Sequence, residues 1–233
     1  MARRLLLISN TTNHGQGPLD HVIDEIDGFL GPVRRLVFIP FALQDRAGYT
    51  ARIGGRLASL GVQVEALTAD EAGRRMLESA EAVFTGGGNT FRLLKTLQDA
   101  GLLPVLRERA WAGMPYLGSS AGTNIAAPTI RTTNDMPIVE PASFDALDLV
   151  RFQINPHYLD PDPGATHMGE TREQRLMEFH EENETPVVGL REGAWIRVEG
   201  SHATLGGARG ARIFRRGQEP EERKTGDSLD DLL

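Results

Sequence analysis

Cysteine is absent from this chain of 233 residues. Its absence excludes disulfides, thiolate metal sites and a cysteine nucleophile. Long apolar runs are missing too: no stretch approaches the ~20 residues of a membrane-spanning helix. Met1-Ala-Arg-Arg precedes only five apolar-rich residues, too few for the core of a signal peptide. The expectation is a soluble, cytoplasmic protein without membrane partners. Positive charge is not in excess. The formal net charge is −7, which argues against non-specific binding to nucleic acid. None of the six histidines forms H-x-x-x-H or H-E-x-x-H, so metal-dependent hydrolysis has little support and no cofactor is expected. Internal repeats and low-complexity segments are absent as well.

What is present is an ordinary globular composition, 40% hydrophobic and 24% charged. Apolar runs at 5–8, 36–39, 62–67, 82–84 and 116–117 read as strands. Between them, helical spacing covers 19–30, 49–60, 69–79, 91–97 and 102–111. Further on, the pattern predicts an irregular loop over 128–141, a strand over 150–154, a helix over 171–182 and a strand over 186–190. In that helix Leu176, Met177, Phe179 and His180 are placed on the inner side. Residues 195–198 and 213–214 suggest a closing antiparallel pair. This alternation predicts an α/β fold, a mostly parallel sheet with helices on both faces. The expected organisation is one α/β domain over 1–233. Residues 217–233 carry six acids against two bases and read as a frayed, charged tail.

In such sheets, ligands sit at the carboxyl ends of the strands. Gly118-Ser119-Ser120-Ala121-Gly122 has the pattern G-x-S-x-G between a strand and small residues that can start a helix. That pattern lifts the serine hydroxyl on a sharp turn and aims the next amide, that of Ala121, at a developing oxyanion. The glycines are required where a side chain would strike the neighbouring strand or helix. A second strand ends in Thr85-Gly86-Gly87-Gly88-Asn89-Thr90. It lacks the Gly-Lys-Ser/Thr of a Walker A loop and the spacing of G-x-G-x-x-G, so a second oxyanion donor fits better than a nucleotide site.

A serine hydroxyl needs a base. His157 follows a predicted strand and a rigid Asn155-Pro156; His21 and His180 lie in helices, and His14, His167 and His202 in loops. The base in turn needs a carboxylate to hold its tautomer. Asp135 and Glu192 compete for that role, with Asp160 a distant third that also fits a turn.

Five blocks in order carry a resemblance: Thr85–Thr90, Gly118–Gly122, Ile130-Arg131-Thr132-Thr133-Asn134-Asp135-Met136-Pro137, Gln153-Ile154-Asn155-Pro156-His157-Tyr158 and His167-Met168-Gly169-Glu170-Thr171-Arg172. Together they resemble the peptidase E group of the serine peptidase family that also contains cyanophycinase, over nearly the whole chain. The resemblance implies a metal-independent cytosolic dipeptidase cleaving peptides with an N-terminal aspartate, on a three-layer sheet like that of class I glutamine amidotransferases. It implies a triad of Ser120, His157 and Glu192, with Asp135 a second catalytic candidate and the Gly88 and Ala121 amides as the oxyanion hole. Arginine matches a carboxylate bidentately. Arg172 and Arg131 lie in matching blocks and are candidates for reading the aspartate side chain, while Glu170 or Asp135 would hold the ammonium. The expected partner is a small Asp-X peptide and the expected state a monomer or homodimer. The alternatives are cyanophycinase-like hydrolysis of β-aspartyl peptides and a non-catalytic small-molecule binder on the same fold.

Overall fold

Leu5, Leu6, Leu7 and Ile8 make up most of β1 (Arg4–Ile8), and all four side chains are fully buried. Burying four aliphatic side chains contributes roughly 6–12 kcal/mol before conformational entropy is subtracted. Only a strand covered on both faces realises all of it. In the computed structural model, which describes residues 3–162, 164, 166 and 169–233, β1 accordingly lies inside a sheet. The sheet runs β3 (Gln63–Ala66), β2 (Arg35–Ile39), β4 (Val83–Thr85), β5 (Tyr116–Ser119), β1, β8 (Ala194–Glu199), β9 (His202–Gly207). The first five are parallel, and β8 and β9 extend the sheet antiparallel.

Alternation along the strands divides the core in two. Leu6, Ile8, Phe38, Phe84 and Leu117 face α1 (Ile23–Leu30) and α2 (Arg46–Leu57), whose Tyr49, Ile53 and Leu57 join the same cluster. Leu5, Leu7, Val37, Val83 and Tyr116 face the other way. There they meet α3 (Glu71–Ser79), α4 (Thr90–Asp99) and α5 (Leu103–Trp111) through Leu77, Phe91, Leu94 and Leu106. The result is the three-layer arrangement of helices on both faces of a largely parallel sheet.

A second sheet packs on the α3–α5 side, in the order β11 (Glu221–Arg223), β10 (Ala211–Phe214), β7 (Val187–Arg191), β6 (Gln153–Tyr158). Its outer face is covered by α7 (Arg172–Glu182), which starts in a capping box between Thr171 and Gln174.

Four expectations are corrected here. The strand expected at 150–154 begins only at Gln153, where its parallel partner β7 starts, and runs on through Pro156 and His157. Proline is tolerated because β6 is an edge strand. Residues 195–198 and 213–214 do not pair with each other. The first belongs to β8 beside β1, the second to β10 beside β7. Met177 is 41% exposed, whereas Leu176 and His180, one helical turn apart, face inward. The tail is not frayed. Leu229 and Leu232 insert into the main core, and arginines outside the tail pair with its acids: Arg215, just past β10, with Glu221 and Asp231, and Arg191 of β7 with Glu222.

Candidate active site

Ser120 occupies the turn between β5 and a single helical turn, α6 (Ala121–Asn124), at φ 52° and ψ −109°. A non-glycine residue held there stores roughly 1–3 kcal/mol of strain, and close packing on both sides maintains it. A Cβ on Gly118 would lie 2.5 Å from the Gly122 carbonyl oxygen, and one on Gly122 only 2.0 Å from that of Thr85. The two glycines let α6 sit directly on the ends of β4 and β5. Thr123 Oγ1 then bridges to the carbonyls of Ile8 and Gly118, at 2.7 and 2.8 Å. Because α6 is one turn rather than a long helix, the positive potential at Ser120 comes from a few local N–H groups.

His157 reaches Ser120 through a different device. It is the extra residue of a bulge between Pro156 and Tyr158 in β6, with φ 54°. A bulge re-aims a side chain, and here it turns the imidazole out of the strand. Nε2 lies 2.9 Å from Ser120 Oγ, and Nδ1 lies 2.7 Å from Glu192 Oε1. The carboxylate can only accept, so Nδ1 carries the proton and Nε2 is left to accept from the serine hydroxyl. Glu192 directly follows β7. The loop after β1 holds both groups: Ser9 Oγ accepts the N–H of His157 at 2.9 Å, and Asn10 Oδ1 accepts that of Gly193 at 2.7 Å.

Asp135 makes no hydrogen bond to His157. Its Oδ2 accepts the N–H and hydroxyl of Thr90, at 2.7 and 2.6 Å, capping the start of α4. The expectation that Asp135 competes for the imidazole is thereby corrected. The irregular loop at 128–141 pins it elsewhere, with Thr132 donating to Ile154 O, Asn134 to Pro156 O and Asn89 to Met136 O. Asp160 is no partner for the imidazole either. It forms a two-point pair with Arg191, at 2.6 and 2.7 Å, which holds its carboxyl below the usual carboxylate range.

Ser120, His157, Gly87, Gly88 and Asp135 line an open cavity of about 560 Å³, together with Thr12, Pro18, Leu43, Tyr49 and Arg52 among others. Gly87 donates its N–H to the Tyr49 hydroxyl at 2.8 Å. The amides of Gly88 and Ala121 have no acceptor among the described residues. Arg131 lies outside this cavity, its guanidinium 5.3 Å from the Phe144 ring centroid, and lines a neighbouring one with Thr133 and Glu170. Arg172 opens α7 and lines a third hollow, with Glu170 and Arg175. Burial and then Arg175 depress its guanidinium, while Asp135 acts on it in the opposite sense. His167 and Met168 of the fifth block lie outside the described residues. Among the remaining histidines, His202 meets Asp230 at 3.1 Å and His180 is buried against Asn183 O.

Sequence reasoning passed over Ser9, Asn10 and Tyr49. The first two stand at the end of a predicted parallel strand, the rule that selected Ser120; no pattern marks Tyr49, which looks like one more buried helical position. Among the described residues no helix is long and apolar enough to cross a membrane.

A nucleophile turn on a parallel sheet, with serine, imidazole and carboxylate in one hydrogen-bonded line, defines the class of serine-type hydrolases. Comparison with known families is specific: residues 5–206 match the description of peptidase family S51, and the chain belongs to that family. It is 58% identical to a peptidase E of Streptomyces coelicolor, over 98% of this chain and 94% of that one. It is 46% identical to a Drosophila melanogaster protein named "Probable alpha-aspartyl dipeptidase", over 95% of this chain and 93% of that one. The fold matches the crystal structure of a peptidase from an acI-B1 Actinobacterium with a TM-score of 0.74 and 16% identity, over 98% of this chain and 97% of that one. The protein is a serine-type peptidase.

Proposed function

We propose that this peptidase hydrolyses dipeptides with an N-terminal aspartate through an acyl-enzyme on Ser120. The observation that carries the chemistry is the line Ser120 Oγ–His157 Nε2 and His157 Nδ1–Glu192 Oε1, at 2.9 and 2.7 Å. The names of the relatives support the substrate class.

His157 takes the Ser120 proton as Oγ attacks the scissile carbonyl, and Glu192 stabilises the imidazolium that forms. The carbonyl oxygen becomes an oxyanion between the amides of Gly88 and Ala121, where each donor is worth roughly 10²–10³ in turnover. His157 then protonates the leaving amine. Water enters, gives its proton to the same nitrogen and releases aspartate. Asp135 at the cavity wall accepts the α-ammonium. Arg172, on whose guanidinium Asp135 acts, is the arginine assigned to the side-chain carboxylate. Arg131, which lines a neighbouring cavity together with Asp135, is the second candidate for that carboxylate. All three groups of the triad come from one chain, so a monomer is sufficient for the chemistry. The reading includes a cytoplasmic location, in keeping with the lack of cysteine.

The test is a substrate panel with EDTA present: Asp-Leu, Glu-Leu, Ala-Leu and β-Asp-Leu. Cleavage confined to Asp-Leu is expected. Cleavage of β-Asp-Leu in its place would move the protein to β-aspartyl hydrolysis, and cleavage of none would leave a binding role.

A further inference from the structure

Of the four consecutive amides that follow β4, three are held. Gly86 donates to Ile39 O at 3.1 Å and Asn89 to Ala42 O at 3.0 Å, both backbone carbonyls. Gly87 donates to the Tyr49 hydroxyl at 2.8 Å. The fourth amide, that of Gly88, has no acceptor among the described residues. Residues 86–88 carry no side chains, so hydrogen bonds must set their peptide planes. Tyr49 supplies the bond that comes from a side chain, and it acts on the residue next to the open amide.

The phenol itself is firmly placed. Its ring meets Phe38 edge-on, with centroids 5.0 Å apart, and Tyr49 is buried. A Cβ on Gly86 would stand 2.7 Å from the hydroxyl oxygen, so ring and loop are in direct contact. Burial raises the phenol above its ordinary value, against opposing hydrogen bonds from Gly87 and Thr11, and it stays neutral. The Thr11 hydroxyl in turn lies 2.8 Å from Ser119 Oγ, and Ser119 directly precedes Ser120. The polar line Gly87–Tyr49–Thr11–Ser119 therefore links the two loops whose next amides, those of Gly88 and Ala121, form the oxyanion hole.

We propose that Tyr49 is a positioning residue for that hole: by holding the Gly87 amide, its hydroxyl keeps the Gly88 amide aimed at the carbonyl oxygen under attack. The proposal rests on the acyl-enzyme reading above, with Gly88 as a donor. Tyr49 touches no reacting atom; it preorganises a donor that does.

The test is Tyr49→Phe, which keeps the ring and removes the acceptor. Its kcat for Asp-Leu should fall about 10–100-fold, less than the roughly 10²–10³ of losing a donor outright. Affinity for the boronic acid analogue of aspartate, whose tetrahedral adduct with Ser120 mimics the transition state, should weaken by a similar factor. Binding of Asp-Leu itself, measured in a Ser120→Ala background with and without Tyr49→Phe, should agree within about twofold, because the ground state makes little use of the hole. The pH dependence of kcat should match wild type, since His157 is untouched. An unchanged kcat with only a lowered Tm would overturn the proposal and make the hydroxyl purely structural. A lowered kcat with a shifted pH profile, or with Asp-Leu binding weakened in the same proportion, would overturn it too, while the Asp-X reading stands. No cleavage of Asp-Leu by folded wild type would overturn that reading, and the proposal with it.

Discussion

The Ser9 hydroxyl ties the backbone of His157 to β7: it accepts the His157 N–H at 2.9 Å and donates to the Leu190 carbonyl at 2.8 Å. Ser9 is fully buried, so its loss strands two backbone groups away from water. Each such group costs roughly 1–3 kcal/mol. Ser9→Ala should therefore lower stability by about 2–3 kcal/mol and let the bulge relax. It should reduce kcat for Asp-Leu by about 10–100-fold, because a small misplacement at the base is amplified in the rate. KM should change little. Thermal unfolding together with the kcat and KM split checks this; an unchanged kcat would show that the bulge holds its shape without the serine.

Glu192 and Asp135 should separate in kinetics. Glu192→Gln leaves the shape but removes the charge and tautomer control, and should lower kcat by roughly 10³–10⁴. Asp135→Asn should act mainly on KM, raising it about tenfold as the contact to the substrate ammonium is lost. Steady-state kinetics on Asp-Leu measure both. The reverse pattern would reassign the two carboxylates.

Two glycines should respond in opposite directions to alanine. Gly122→Ala forces a methyl to within 2.0 Å of the Thr85 carbonyl oxygen. Overpacking against backbone costs roughly 1–3 kcal/mol or more, and the turn carrying Ser120 should be lost with it. Gly55, inside α2, has nothing within 4 Å of the added carbon. Gly55→Ala should stabilise by about 0.5–1 kcal/mol through helix propensity. Chemical denaturation of both variants measures the contrast.

The Asp160–Arg191 pair predicts a pH-dependent stability. The hydrogen bonds from Arg191 hold the Asp160 carboxyl below its ordinary range in the folded state. Such a group stabilises the fold above the unfolded-state carboxylate pKa, and the contribution disappears as pH falls through the depressed value. Asp160 is 49% exposed, so the effect is small, about 1 kcal/mol or less. Asp160→Asn should lower Tm at pH 7 and converge with wild type in strong acid. A difference that grows on acidification would contradict the assignment.

Much of the fold is legible locally. Continuous apolar runs such as Leu5–Ile8 mark strands buried on both faces, and G-x-S-x-G marks the turn because only glycine fits against Thr85 and Gly122. Less legible is what depends on distant partners. The start of β6 is set by β7, more than 30 residues away in sequence. The acidic tail reads as solvated because two of the arginines that pair with it, Arg191 and Arg215, come from outside it. Ser120, His157 and Glu192 follow from strand ends and the family resemblance, yet the choice between Glu192 and Asp135 needed the bulge at His157, which no periodicity reveals. Arg131 and Arg172 matched the expected blocks, but neither lines the cavity at Ser120.

The measurement that bears most directly on the account is the hydrolysis of Asp-Leu by wild type and Ser120→Ala, both shown to be folded, in the presence of EDTA. The account predicts cleavage by wild type and a loss on the order of 10⁵–10⁶ in kcat on removing the hydroxyl. Retention of substantial activity by Ser120→Ala, or loss of wild-type activity to the chelator, would contradict it.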